Sequence, residues 1–376
     1  MSKLFHLRED YSPHPFRWWH IPLLLVLIGG TIYVACTNDR IKGTSSQLTN
    51  AMKGDSLTIQ LTDSSFYRQS SGEVFGTIYH ITYDCSEDLQ AGIDQALKEV
   101  DESLSPFNKS SVITTINQNQ SMQTNERFRH VFLLAQQISA ETDGAFDITC
   151  APLVNAWGFG FKNEDNVDST TIDSLLQFVG YQKIALQADT IVKQDARIML
   201  DCSAIAKGYG VDAVAEYFES QGVQSYMVEI GGEVRTRGCN AEGNKWRIGI
   251  NKPTDDPTNT NQELEEVLEV SNTSMATSGN YRNYYVKNSR RYAHTIDPRT
   301  GYPVQHSLLS ATVLAPDCAT ADAYATSFMV MGLKEAQQIL TQHPELMAYL
   351  IYTDEKGNYA IWQSEGMNTA DEAENN

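Results

Sequence analysis

Tyr226-Met227-Val228-Glu229-Ile230-Gly231-Gly232-Glu233, followed by Trp246-Arg247-Ile248-Gly249-Ile250, is the stretch on which the fold turns. Both ends are β-rich runs, and the first is apolar enough to be a buried strand. Adjacent glycines directly after a strand point to a close backbone approach. The connection between the runs is too short to hold the crossover helix that a parallel pair requires. Antiparallel pairing follows, and the expected class is α+β, with a mixed, largely antiparallel sheet and packed helices.

Upstream, Leu200-Asp201-Cys202-Ser203-Ala204-Ile205-Ala206-Lys207-Gly208 leads into a helix whose apolar positions are Val211, Val214, Ala215 and Phe218; Gln221-Gly222 closes it. A lysine and a glycine at a helix start suit an anion. The G-x-x-x-x-G-K spacing of a Walker box is absent, and taken alone Lys207 reads as a solvated first-turn lysine. Further back, Val74–Tyr83 is β-rich. Ile93, Ala96, Leu97, Val100 and Leu104 share a helical face, as do Val131, Leu134, Ala135 and Ile138. Gly144-Ala145-Phe146-Asp147-Ile148-Thr149, continuing through Pro152-Leu153 to Gly160, has no regular period. It is either a loop whose aromatics plug a core edge or a wall for a flat ligand. A short helix is expected at Ile172–Val179.

Downstream, 252–264 reads as a surface loop. Ala293-His294-Thr295-Ile296-Asp297-Pro298-Arg299-Thr300-Gly301-Tyr302-Pro303-Val304 concentrates a histidine, an acid, an arginine and turn residues without helical or strand period. It is a surface turn or part of a site. Ser310–Ala315 is a strand and Asp322–Gly332 a helix, with further strands near 348–353 and 358–362. Asp322 and Thr326 fall on one helical face, a turn apart. A carboxylate and a hydroxyl are hard-oxygen donors of the kind Mg²⁺ accepts. The local alternative is an N-cap aspartate with a threonine bonded to its own helix.

The chain has 376 residues, 41% of them hydrophobic, so it can bury a large core. Its net charge of -19 argues against the nucleic-acid backbone as a partner. The six cysteines form no C-x-x-C pair and no disulfide framework. Ile21–Cys36 is apolar but short for a spanning helix, which needs ~20 residues. With Arg17 before it and Ala35-Cys36 at its end, residues 1–36 read as a signal or lipoprotein leader, or as a signal anchor. Either would place the protein at the inner membrane on the periplasmic side, lipid-anchored at Cys36 or signal-anchored. Residues 37–70 read as a flexible tether with a first strand near 57–61, 71–363 as the folded domain, and 364–376 as an acidic disordered tail. No segment repeats at a fixed period.

Taken jointly, these motifs resemble the ApbE-type FAD:protein FMN transferases from about Gly72 to Gly332. The resemblance rests on Ser105-Pro106-Phe107-Asn108 with Asn117, Gly144–Gly160, Asp201–Asp212, Gly231-Gly232, Thr277-Ser278-Gly279, His294–Pro303 and Asp322–Thr326. It implies an enzyme outside the cytoplasm that uses FAD and Mg²⁺, moves FMN to a threonine or serine hydroxyl of an acceptor flavoprotein, and releases AMP. Such acceptors are subunits of membrane electron-transfer complexes. The resemblance also implies Asp322, Thr326 and the Ala204 carbonyl as magnesium ligands. Phe75, Phe107, Ala145, Phe146, Asp147, Asp201, Lys207 and Ile296 would contact FAD. His294 is the implied base for the acceptor hydroxyl, with a structural pairing to Asp297 as its alternative. Phe75 and Phe107 stand where methionine, tyrosine or tryptophan is familiar, and Cys202 has no role in this scheme. The competing functions are a Mg²⁺-dependent FAD pyrophosphatase giving FMN and AMP, and a flavin-binding lipoprotein without chemistry. A nicotinamide-linked flavoenzyme is disfavoured by the missing G-x-G-x-x-G.

Overall fold

The computed structural model describes residues 66–159, 167–253, 264–280, 284–287, 290–293 and 295–367, with 284–287 and 290–293 as backbone only. All belong to one compact unit, Asp63–Asn376. The leader, most of the tether, the strand expected at 57–61, His294, residues 254–263 and the last residues of the tail lie outside the described residues.

The frame is an eight-stranded sheet. Its strands are β1 (Tyr67–Val74), β2 (Thr77–Asp84), β5 (Tyr226–Ile230), β6 (Glu233–Arg237), β9 (Thr273–Gly279), β12 (Leu308–Ala315), β13 (Met347–Thr353) and β14 (Tyr359–Gln363), in the spatial order β1-β2-β5-β6-β9-β12-β13-β14. Every pairing in it is antiparallel. The expected α+β class with a largely antiparallel sheet is what the chain adopts. Two-stranded ribbons are formed by β3 (Ile184–Gln187) with β4 (Thr190–Lys193), β7 (Trp246–Asn251) with β8 (Leu264–Val270), and β10 (Tyr284–Lys287) with β11 (Arg290–Ala293).

The two runs at 226–230 and 246–250 do not pair with each other: β5 pairs with β2 and β6, and β7 with β8, because a further strand, β6, unmarked in the sequence, lies between them. β5 and β6 are tied by the shortest kind of turn. Ile230 pairs with Glu233 across Gly231-Gly232. Gly231 has φ +63°, and a Cβ there would sit 2.7 Å from Thr77 Cγ2. This is the close approach that two glycines permit.

Helices cover one face of the sheet. They are α1 (Gln90–Leu104), α2 (Val112–Asn117), α3 (Glu126–Glu141), α4 (Ala151–Ala156), α5 (Ser169–Leu176), α6 (Ala206–Ser220), α7 (Cys318–Met331) and α8 (Leu333–Gln342). The alternating apolar positions of β2 (Tyr79, Ile81, Tyr83) and β5 (Val228, Ile230) bury against α1, α6 and α7 in the main core. On the opposite face, Trp246, Ile248 and Ile250 of β7 and Leu268 and Val270 of β8 pack on Val234, Met275, Leu314, Tyr349 and Ile351. The β7–β8 ribbon is thus a third layer. Helix α7 is buried nearly all round, which explains its lack of an amphipathic stripe. Among the described residues no helix is long and apolar enough to cross a membrane.

Several elements differ from expectation. The irregular 144–160 stretch contains α4, begun by Pro152 in its first turn. The helix expected at 172–179 runs from Ser169 to Leu176 because Asp168 caps it. The helix carrying Asp322 begins at Cys318, capped by Asp317.

Candidate active site

A cavity of about 640 Å³ opens where the first turn of α6, the middle of α7, the β5–β6 turn, strands β7 and β9, and the loops around 145–150, 201–204 and 295–298 converge. Its size is ordinary for a small-molecule site. Ten of the residues expected in a site line it: Phe107, Ala145, Phe146, Asp147, Asp201, Ala204, Lys207, Ile296, Asp322 and Thr326. Phe75 is not among them. It occupies the β1–β2 turn, and its ring covers Gly210 of α6, where a Cβ would fall 2.5 Å from Cε2.

The helix wall holds the charge. Lys207 Nζ lies 2.8 Å from Glu233 Oε1 and 3.7 Å from Asp322 Oδ2. Burial works against the Lys207 charge, but the Asp322 and Glu233 carboxylates outweigh it, and its pKa is raised. Burial pushes Glu233 up to about 7, against the pull of Lys207. Glu233 Oε1 is taken by the lysine, while its Oε2 is buried without a partner among the described residues.

Asp322 is not the cap of its helix. Its Oδ2 accepts a hydrogen bond from the backbone N–H of Gly208, in the first turn of α6, at 3.1 Å. Nor is Thr326 bonded to the helix behind it. Its neighbour Ser327 donates to the Ala323 carbonyl, whereas the Thr326 hydroxyl has no partner among the described residues. The Ala204 carbonyl and Asp322 Oδ1 likewise receive no donor among the described residues. Ala204, Asp322 and Thr326 all line the cavity, and each has an unclaimed oxygen; a carbonyl, a carboxylate oxygen and a hydroxyl are hard-oxygen donors of the kind Mg²⁺ takes. Among the described residues no three His, Cys, Asp or Glu side chains cluster as a metal site. A cation here would therefore rely on this mixed set.

The loop wall is built differently. Asp147 Oδ1 accepts from the Thr149 N–H and hydroxyl, and Oδ2 from the Tyr181 N–H at 2.7 Å. Burial raises its pKa despite these bonds. Asp201 Oδ1 accepts from the Ser203 N–H, and the Asp201 N–H donates to the Ile148 carbonyl, joining the two loops. The Asn117 side chain pairs with both the N–H and the carbonyl of Leu200, acting as a strand partner just before Asp201. In the 295–304 loop, Ile296 bridges Pro303 and Asp297 N–H donates to the Tyr302 carbonyl. Trp157 Nε1 donates to the Gly301 carbonyl, docking this loop on α4. Asp297 accepts from the Arg299 backbone and guanidinium, at 2.9 and 3.0 Å. Thr295, Ile296 and Pro298 reach the cavity.

Cys202 is fully buried, and burial drives its thiol pKa far up; Cys150, at the cavity, behaves alike. Neither is poised as a thiolate. The sequence reading missed Glu233 although it directly follows the glycine pair, because nothing local marks it as the partner of Lys207.

Residues 75–351 match the ApbE family. The chain belongs to the ApbE family. Among curated ApbE-type relatives, the FAD:protein FMN transferase of Haemophilus influenzae is 39% identical over 304 residues, covering 76% of this chain and 87% of the relative. That of Vibrio cholerae is 37% identical over 296 residues, with 76% and 87% covered. The solved structure of the flavin transferase ApbE from Vibrio cholerae superposes with a TM-score of 0.72 at 34% identity, covering 80% of this chain and 98% of that one. The region in common with the ApbE family includes the whole cavity described above.

Proposed function

We propose that this chain transfers FMN from FAD to a threonine or serine hydroxyl of an acceptor flavoprotein, releasing AMP, with Mg²⁺ at Ala204, Asp322 and Thr326. The observation that carries this reading is the convergence of those three unclaimed oxygens with Lys207 in one cavity. The relatives' name supports the reaction type.

Bound there, Mg²⁺ would supply positive charge to the pyrophosphate oxygens. Lys207 adds a fixed ammonium beside them, pre-aligned by Glu233, so little reorganisation is needed as the linkage breaks. Asp147, Asp201 and the Asn117-pinned segment at Leu200 hold the loop wall against which the dinucleotide lies, with Phe107 and Phe146 offering aromatic surface and Ile296 apolar surface. The acceptor oxygen attacks the FMN phosphorus, forming one P–O bond while the P–O bond to AMP breaks. The hydroxyl proton passes to a base, for which His294 is proposed because a histidine titrates near working pH. Location outside the cytoplasm, a membrane tether through residues 1–36, and an acceptor in a membrane electron-transfer complex complete the proposal. They rest on the leader reading and the family resemblance.

The test is co-expression with candidate acceptor subunits, followed by mass spectrometry of the intact acceptor. Wild type should add one FMN, and Asp322→Ala should add none. Release of free FMN with unmodified acceptors would instead make the protein a pyrophosphatase. FAD binding with neither product would leave a binding protein.

A further inference from the structure

Outside the cavity, the most deeply buried ion pair among the described residues is Asp212 with Arg235. Asp212 lies on α6 and is 3% exposed. Its Oδ1 accepts from Arg235 Nη1 at 2.7 Å and from the Cys318 N–H at 2.9 Å; its Oδ2 accepts from the Ala319 N–H at 2.8 Å. Those are the first two N–H groups of α7, donors that a helix cannot satisfy itself. The next, Thr320 N–H, goes to Asp317, the helix's own cap. In return, Asp322 of α7 accepts from Gly208 in the first turn of α6. Each helix therefore closes the start of the other with an aspartate. Between the two links the backbones touch: a Cβ on Gly208 would lie 2.3 Å from the Cys318 carbonyl oxygen.

We infer that Asp212 is a positioning residue for the cavity: by gripping the first turn of α7 from α6, it sets the placement of Asp322 against Lys207. The inference rests on the function proposed above. A simple capping role is already filled by Asp317, and it requires no residue from a different helix. Asp212 adds a link between the two helices that carry the cavity's charge, and Arg235 of β6 ties that link to the sheet. Lys207 Nζ and Asp322 Oδ2, on the two helices, are 3.7 Å apart, so a shift of one helix against the other changes this pair directly. Loss of the grip should thus be felt in ligand binding beyond its effect on folding.

The experiment compares Asp212→Ala, Asp212→Asn and Asp317→Ala in the purified full chain. Three quantities are read: melting temperature, binding of Mn²⁺ alone, and binding of FAD without metal. Asp212→Ala should weaken Mn²⁺ binding about 10- to 100-fold, as loss of an outer support of a metal site does, and should weaken FAD several-fold. Asp212→Asn retains an acceptor for the α7 N–H groups and should recover part of both. Asp317→Ala should lower the melting temperature without a comparable loss of either ligand. Equal ligand losses in Asp212→Ala and Asp317→Ala at matched melting temperature would overturn the inference, as would wild-type binding by Asp212→Ala. If Asp212→Ala does not fold, Asp212→Asn is judged against Asp317→Ala on the same terms. Absence of Mn²⁺ binding by wild type would instead refute the cation site, and Asp212 would then stand or fall on FAD alone.

Discussion

The two walls of the cavity carry similar acids that do different work. In the loop wall, Asp147 and Asp297 accept hydrogen bonds on both oxygens, at Thr149 and Tyr181 and at Arg299, while Asp201 accepts on Oδ1 alone, from Ser203. Those acids shape the backbone. In the helix wall, Asp322 keeps one oxygen unclaimed and Glu233 has an orphaned one, although both are almost fully buried. A buried polar atom without a partner is costly. It persists here because the surrounding helix pair and sheet hold it. The lesson is that an acid in a motif is read by what its oxygens already touch: spent oxygens mean architecture, and unspent ones mean chemistry.

The sharpest way to break this contrast is Asp322→Ala. Transfer should fall at least about a hundredfold, the scale on which loss of a preorganised charge-stabilising group is felt, and Mn²⁺ binding should vanish. The fold should survive, since only one hydrogen bond, from Gly208, is lost. Steady-state transfer alongside a melting curve checks both halves. Retained turnover with unchanged cation dependence would move the metal elsewhere.

Next in size is Gly208→Ala. The added methyl would overlap backbone rather than a movable side chain, 2.3 Å from the Cys318 carbonyl. Forced expansion of a packed contact costs roughly 1–3 kcal/mol. Because α6 and α7 must separate at the level of Lys207, stability and cation binding should fall together. A variant that loses stability while binding Mn²⁺ as tightly as wild type would show that the helix pair tolerates spreading.

The loop wall should respond the opposite way. Asp147→Ala strands the N–H groups of Thr149 and Tyr181, at a cost of about 1–3 kcal/mol if they stay buried. FAD affinity should drop and Mn²⁺ affinity should hold. Parallel titrations with the two ligands decide it, and a matched loss of both would erase the distinction between the walls.

Much of this was legible from the chain alone. Strands β5 and β7 followed from their β-rich runs, the largely antiparallel class from short connections, and α1, α3 and α6 from apolar stripes, because those signals are local; β6 and the true partner of β7 did not follow. Strand β9 was not. Its polar Ser274, Thr277 and Ser278 lie mid-sheet, where Thr277 pairs with the Thr312 hydroxyl at 2.8 Å and Ser274 reaches the Pro316 carbonyl, partners distant in sequence. Helix α4 is only 6 residues long, too short to show a period. In the site, the motifs flagged ten lining residues, yet could not say that Asp147 is spent and Thr326 is not. Glu233 and Asp212 stayed hidden for the same reason: Lys207, Cys318 and Ala319 meet them only after folding.

The smallest expected effect concerns Glu233 and is read from pH. Burial raises its pKa from 4.5 to about 7, so between those values the folded, metal-free protein holds a proton that the unfolded chain has released. Folding is then linked to proton uptake, and stability must fall as pH rises through that window. This is opposite in sign to an ordinary salt-bridged carboxylate, whose stabilisation is lost as pH falls. Glu233→Gln removes the titration while its amide oxygen can still accept from Lys207. Urea denaturation at stepped pH should show a shallower decline for the variant between about pH 5 and 7. Parallel wild-type and variant curves would mean that Lys207 holds Glu233 ionised throughout that window.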